Sequence, residues 1–154
     1  MELDIGLKEQ ERSAIGGALS KWLADLYTLY VKTQNFHWNV TGPEFYSLHL
    51  LFEKQYEELA EEIDEVAERV RSLGYFVDAS LGSFKEITSI PEDDRVHAKT
   101  EMVNQLILGH EIVIREGRKL SVLADKHDDA GTVDMVGRRV GGHEKMAWML
   151  RSQI

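Results

Sequence analysis

The chain has 154 residues, 43% hydrophobic and 29% charged, which excludes wholesale disorder and fits one domain with a full core. Twenty-seven Asp and Glu against 18 Lys and Arg give a net charge of −9, which argues against a protein built mainly to grip a phosphate backbone. The absence of cysteine excludes disulfides, thiolate metal sites, iron–sulfur clusters and Cys nucleophiles. The opening MELDIGLKEQER is acidic and has no apolar stretch of the signal-peptide kind. No apolar run approaches the ~20 residues that span a bilayer. A soluble cytoplasmic protein is expected, as one domain over residues 1–154.

In chain order, residues 7–38 carry Ile15, Leu19, Trp22, Leu23, Leu26, Tyr30 and Val31 at three- and four-residue steps, one face of a helix. Gly42-Pro43 then predicts a turn feeding a second helix with proline at its first position. Over residues 44–73 the apolar rhythm is Phe45, Leu48, Phe52, Tyr56, Leu59, Ile63, Val66, Val70, closed by Arg69, Arg71 and Gly74. Residues 75–99 lack long periodicity and contain Gly82, Pro91 and an acidic cluster, so they read as a connection with room for one short helix. A third helix is expected from Thr100 as N-cap to about residue 124, and a fourth over 132–153 after the polar turn DKHDDAGT. Gly137, Gly141 and Gly142 weaken the last of these. Four long helices, no strand pattern and one long connection describe an all-α four-helix bundle with a crossover between the second and third long helices.

Chemistry concentrates on the second helix. With His49 as angular zero and ~100° per residue, Glu53 falls near ~40°, Asp64 near ~60° and Glu68 near ~100°, along one flank of the apolar stripe. His37 lies at the end of the first helix. Imidazoles and carboxylates suit Fe(II), Zn(II) or Mn(II), and the Asp64/Glu68 spacing places two carboxylates one turn apart. The same residues also fit a solvated shoulder beside a core stripe. His49 and Asp64 are 15 residues apart, roughly 22 Å along a helix, too far for one metal. If they share a site, the helix must cross a second copy antiparallel about a two-fold axis near Tyr56. A ferritin-type centre inside the bundle would want two Glu-x-x-His motifs, and the chain has none.

The segment FHWNVTGPEFYSLHLLFEKQYEELAEEIDEVAERVRSLG, residues 36–74, closely resembles the signature of the Dps family of mini-ferritins, and HEKMAWML resembles that family's last helix. The likeness implies a hollow dodecameric shell of ferritin-like bundles assembled from dimers. Such a shell oxidises Fe(II) with hydrogen peroxide, less efficiently with O2, and stores the ferric mineral against oxidative stress. It implies a mono- or di-iron site between subunits, with His37 and His49 from one chain, Asp64 and Glu68 from its two-fold partner, and Glu53 at an acidic position of the same site. Trp38 matches the aromatic residue beside that site, either as an interceptor of stray radicals or as interface packing. Asp125 and Asp134 match acidic positions of a three-fold pore, whose intermediate acidic position is Ala130 here, with Asp128 and Asp129 close by.

Members that bind DNA carry Lys/Arg-rich extensions. This sequence begins MELDIGLKEQER and finishes RSQI, so weak or absent DNA binding is expected. The alternatives are a DNA-compacting protein on the same scaffold, or a helical oligomer without catalysis. His97, His110, His127 and His143 match no motif and read as surface residues.

Overall fold

Helix α1 (Glu9–Asn39) begins where the Glu11 carboxylate accepts the backbone N–H of Lys8 at 2.8 Å. In the computed structural model, which describes residues 3–154, four further helices follow: α2 (Phe45–Ser72), α3 (Leu81–Ile87), α4 (Lys99–Lys126) and α5 (Ala130–Arg151). No strand occurs among the described residues. The architecture is the expected four-helix bundle, with α3 as the short helix inside the crossover.

The α1 stripe holds from Ile15 to Leu26 and then continues through Leu29, Thr33 and Phe36, all buried. Tyr30 is only half-buried and Val31 is 46% exposed, which corrects the predicted stripe. The reason is phase: Leu29 lies one three-residue step beyond Leu26, whereas Val31 has turned to the far side.

Between α1 and α2 the chain turns at Gly42, whose φ of +110° is a left-handed conformation open to glycine. The N–H of Phe45 donates to the carbonyl of Gly42 at 3.0 Å, so Pro43 lies inside the turn rather than at the first helical position. Phe45, expected in the core stripe, is 41% exposed because it precedes the buried part of the helix. At the other end Gly74 has φ +98°, with Gly74 N–H donating to Arg71 and Tyr75 N–H to Val70. That paired closure is a Schellman stop, as Gly74 foretold.

The crossover is tied to α1 by two buried polar side chains. Asp25, fully buried, accepts from the Lys21 ammonium at 2.6 Å, the Thr88 hydroxyl at 3.0 Å and the Ser89 N–H at 2.5 Å. Lys32 donates to the Pro91 carbonyl and to Gln105. Helix α4 starts at Lys99 with Ala98 as its N-cap, not at Thr100; no side chain caps it, and Lys99 is instead paired with Glu44. Helix α5 starts at Ala130 and runs unbroken through Gly137, Gly141 and Gly142. Asp129 caps it, accepting from Thr132 N–H at 3.0 Å while paired to Arg69 at 2.6 Å.

Short turns make α1/α2 and α4/α5 antiparallel pairs, and α1 lies against α4 to join them. Trp22 Nε1 donates to the Val113 carbonyl at 3.0 Å across that joint. Two glycines on α4 let the helices approach. A Cβ at Gly109 would stand 2.6 Å from Leu29 Cδ1, and one at Gly117 would stand 2.7 Å from Val140 Cγ2 and 3.2 Å from Trp22 Cζ2.

Candidate metal centre

The last turn of any helix leaves backbone carbonyls without partners, and His37 sits in that turn of α1. Its carbonyl is taken by His49 Nδ1 at 2.9 Å, while His37 Nδ1 contacts the His49 carbonyl at 2.8 Å. A carbonyl only accepts, so each Nδ1 carries a proton, and the tautomer this selects has its lone pair on Nε2. Neither Nε2 has a hydrogen-bond partner among the described residues. The imidazoles stack at 3.8 Å and 16°, with Phe45 5.0 Å from His49 and the Tyr56 ring edge-on to His37 at 5.2 Å. An imidazole held through one nitrogen by a carbonyl is an oriented ligand at the other.

Glu53 lies one turn beyond His49 and is half-buried. Asp64 and Glu68 are exposed further along α2. None of the three forms an ion pair among the described residues, whereas Glu65 on the same helix binds both Arg138 and Arg139. Tyr56 lies against the Glu53 carboxylate; removal from water first, then the charges of Glu53 and Glu57, hold its phenol above the ordinary tyrosine range. Within one chain, no three His, Asp or Glu among the described residues gather as a metal-holding group. His37 and His49 are brought together; Asp64 and Glu68 are not brought to them in the single chain.

Trp38 is 66% exposed, and no ring among the described residues stacks on it. Asp125 is exposed in the last turn of α4; Asp134, near the start of α5, pairs with Arg138 at 3.1 Å. Asp128 holds a left-handed φ of +57°, and a large cleft lined partly by Lys8, Glu11, Arg69, His127 and Asp128 lies at this end rather than near His49. The turn is therefore not uniformly solvated, since Asp129 is only 4% exposed.

Two histidines expected at the surface are fully buried. His143 Nε2 bonds Glu62 Oε2 at 2.9 Å, its Nδ1 bonds His110 Nδ1 at 2.8 Å, and His110 Nε2 meets Gln55 Oε1 at 3.4 Å. This row joins α2, α4 and α5 in the bundle interior, and Glu62 Oε1 has no hydrogen-bond partner among the described residues. Burial, then the neighbouring His143, pushes His110 well below the ordinary histidine range. A sequence signal existed. Leu48/Gln55/Glu62, Val103/His110/Gly117 and Val136/His143/Leu150 are each spaced by seven, and all nine are buried. His97, half-buried, contacts Asp93 at 3.0 Å, and His127 is also half-buried.

A bundle of this topology, with an imidazole pair where α1 turns into α2 and unpaired carboxylates along α2, defines a ferritin-like protein. The ferritin-like domain model matches residues 17–154. A low temperature-induced protein of Nostoc is 42% identical over 154 residues, covering 99% of this chain and 86% of that protein. The DNA protection during starvation protein of Brevibacillus brevis is 36% identical, covering 95% of this chain and 98% of that one. The crystal structure of the Vibrio cholerae Dps protein, described as one of a broad superfamily of ferritin-like diiron-carboxylate proteins, superposes with a TM-score of 0.94. Its identity is 29%, over 99% of this chain and 97% of that one. Streptomyces coelicolor DpsC gives 0.96 at 30% identity, over 99% of this chain and 90% of that one. The chain belongs to the Dps family of ferritin-like proteins. Among the described residues, no helix is long and apolar enough to cross a membrane.

Proposed function

We propose that this protein is a cytoplasmic iron-storage ferroxidase, working as a dodecamer built from dimers, whose substrate Fe(II) is bound between two-fold-related subunits. His37 and His49 of one chain and Asp64 and Glu68 of its partner are the ligands, with Glu53 beside them. The reciprocal His37–His49 bonding carries the reading, because it orients two imidazoles through Nδ1 and leaves two Nε2 donors free. The unpaired Glu53, Asp64 and Glu68 fit the same reading: each chain then offers half a site to an antiparallel copy of α2.

Neutral imidazoles and carboxylates favour a first-row divalent ion and stabilise its ferric product. Two Fe(II) supply the two electrons that cleave peroxide: H2O2 + 2 Fe(II) + 2 H+ gives 2 Fe(III) + 2 H2O. The route thereby avoids one-electron release of hydroxyl radical. Fe(III) hydrolyses, releases protons and collects as mineral in the shell. Asp125 and Asp134 would line its cation path at a three-fold pore, and Trp38 packs at a subunit interface.

Peroxide-dependent loss of Fe(II) tests the assignment. His37→Ala and Asp64→Ala should each slow it about tenfold or more. Unchanged rates in both would remove these residues from the site, and consumption by a verified monomer at the assembly's rate would end the shared-site reading.

A further inference from the structure

We propose that Glu65 is a positioning residue for the ferroxidase reaction: tied to Arg138 and Arg139, it fixes the roll of α2 and so aims Asp64 and Glu68 across the two-fold axis. The inference rests on the ferroxidase reading of those two carboxylates. On a wheel of ~100° per residue with His49 at zero, the buried ridge Leu48, Phe52, Leu59, Val66 and Val70 centres near ~280°. Asp64 and Glu68 stand near ~60° and ~100°, almost opposite that ridge. Apolar attraction has no direction of its own, so the roll of the helix is fixed by directional ties elsewhere on its surface.

Those ties run to α5 in antiparallel order. Gln55 Nε2 donates to the Met146 carbonyl at 3.3 Å, Glu62 bonds His143 at 2.9 Å, Glu65 takes both arginines, and Arg69 Nε donates to Thr132 at 2.9 Å. On the wheel they stand near ~240°, ~220°, ~160° and ~200°. Glu65 is therefore the tie farthest round from the apolar ridge and has the longest lever against roll. Both of its oxygens are used. Oε1 accepts from Arg138 Nη2 at 3.0 Å, and Oε2 accepts from Arg139 Nε and Nη2, each at 2.6 Å. Arg138 is held in turn by Asp134 at 3.1 Å. Each ligand carboxylate is followed directly by one of these ties, Asp64 by Glu65 and Glu68 by Arg69.

The lever matters because metal sites tolerate little displacement. A carboxylate roughly 6 Å from the helix axis moves about 1 Å when the helix rolls by about 10°. Metal–ligand distances hold to about 0.2 Å, so such a roll takes Asp64 and Glu68 out of bonding range together. Stability makes no comparable demand on the tie. The Glu65 and Arg138 side chains are 32% and 55% exposed, and ion pairs that open to water contribute little to folding. Removing Glu65 should therefore be felt at the metal before it is felt by the fold.

The test titrates the assembled protein with Co(II), which binds without being oxidised, and follows calorimetric affinity, the visible absorption bands and thermal melting. Glu65→Ala should weaken Co(II) binding about tenfold and alter the bands, while melting stays within about 3 °C of wild type. Arg139→Ala, which removes the shorter of the two contacts, should show the same loss to a smaller degree. The exchanged variant Glu65→Arg/Arg139→Glu rebuilds a tie with its charges reversed and should return affinity and bands toward wild type. Wild-type affinity and bands in Glu65→Ala overturn the proposal. So does an exchanged variant that binds as weakly as Glu65→Ala, because Glu65 then acts as negative charge and not as an anchor. So does melting that falls in step with affinity across the variants, the mark of general loosening. Co(II) binding that Asp64→Ala and Glu68→Ala leave unchanged ends the ferroxidase-site reading and this inference together.

Discussion

Glu62 and His143 are joined by a 2.9 Å hydrogen bond in the bundle interior, with side-chain exposures of 1% and 0%, and the second Glu62 oxygen has no hydrogen-bond partner among the described residues. A carboxylate in that position depends on one imidazole. Removing one member of a buried pair leaves the other stranded, at a cost of about 3–5 kcal/mol, whereas replacing both by apolar side chains removes the desolvation problem. His143→Leu should therefore lower the urea midpoint sharply. The double variant Glu62→Leu/His143→Leu should recover most of the loss. Equal destabilisation in the single and double variants would show that the pair is not what holds this layer.

His110 gives the same layer a pH dependence. It is fully buried against His143 of α5 and Gln55 of α2, and burial lowers its affinity for a proton. In the unfolded chain it regains an ordinary value of about 6.5. Below that pH the unfolded state binds a proton that the folded state refuses. This contribution is complete above about pH 6.5 and is lost on acidification, by up to ~1.4 kcal/mol per unit. Urea midpoints at about pH 7.5, 6.5 and 5.5 should fall with acid, and His110→Asn should flatten the fall by about one proton's worth.

The helices were legible because their burial is periodic, and Gly74 marked a stop that its φ of +98° explains. Boundaries were less so. Thr100 is a good capping residue, but Lys99 is already helical, so the local capping preference lost to tertiary placement. His37 and His49 were legible as a pair; the reason they pair, an orphan carbonyl at the end of α1, depends on the turn that returns α2 onto it. The Glu62–His143–His110 row was missed because polar residues at core positions look like surface when read singly. Only their seven-residue spacing from Leu48, Val103 and Val136 marks them as inward. What stands opposite Asp64 and Glu68 was open to distance arguments alone, since one chain does not contain it.

Glycines in the helices divide into two kinds. Gly117 is an approach point: a methyl there meets Val140 Cγ2 at 2.7 Å and Trp22 Cζ2 at 3.2 Å. Gly117→Ala should cost about 1–3 kcal/mol through overpacking, against which the helix-propensity gain of about 1 kcal/mol works in the opposite direction. Gly137 has nothing within 4 Å of a built Cβ. Gly137→Ala should raise stability by about 0.5–1 kcal/mol. Thermal melts of the two variants should move in opposite directions.

At the imidazole pair, His49→Ala removes two things at once: one nitrogen ligand, and the donor that satisfies the His37 carbonyl. The second loss costs about 1 kcal/mol of stability. The first should show as weakened binding of Co(II), a non-oxidised stand-in for Fe(II), in calorimetric titration. His49→Gln, which can still donate to the carbonyl, should recover the stability without recovering the cobalt affinity. Full cobalt affinity in both variants would take His49 out of the ligand set.

DNA affinity is the last expectation to follow from the charge distribution. Phosphate binding gains from counterion release in proportion to the cationic contacts a surface offers, and this chain carries nine more acidic than basic side chains. Much of its basic complement is already committed: Arg138 and Arg139 to Glu65, Arg69 to Asp129, Arg118 to Glu144, Lys99 to Glu44. At ~0.15 M salt, attraction beyond about 8 Å is screened, so distant positive charge does not compensate. A mobility-shift assay at that ionic strength without divalent cations should show no retarded band. Appending a lysine-rich segment should create one that disappears as salt is raised. A band from the unmodified protein would mean that assembly gathers basic side chains into a patch that a single chain does not possess.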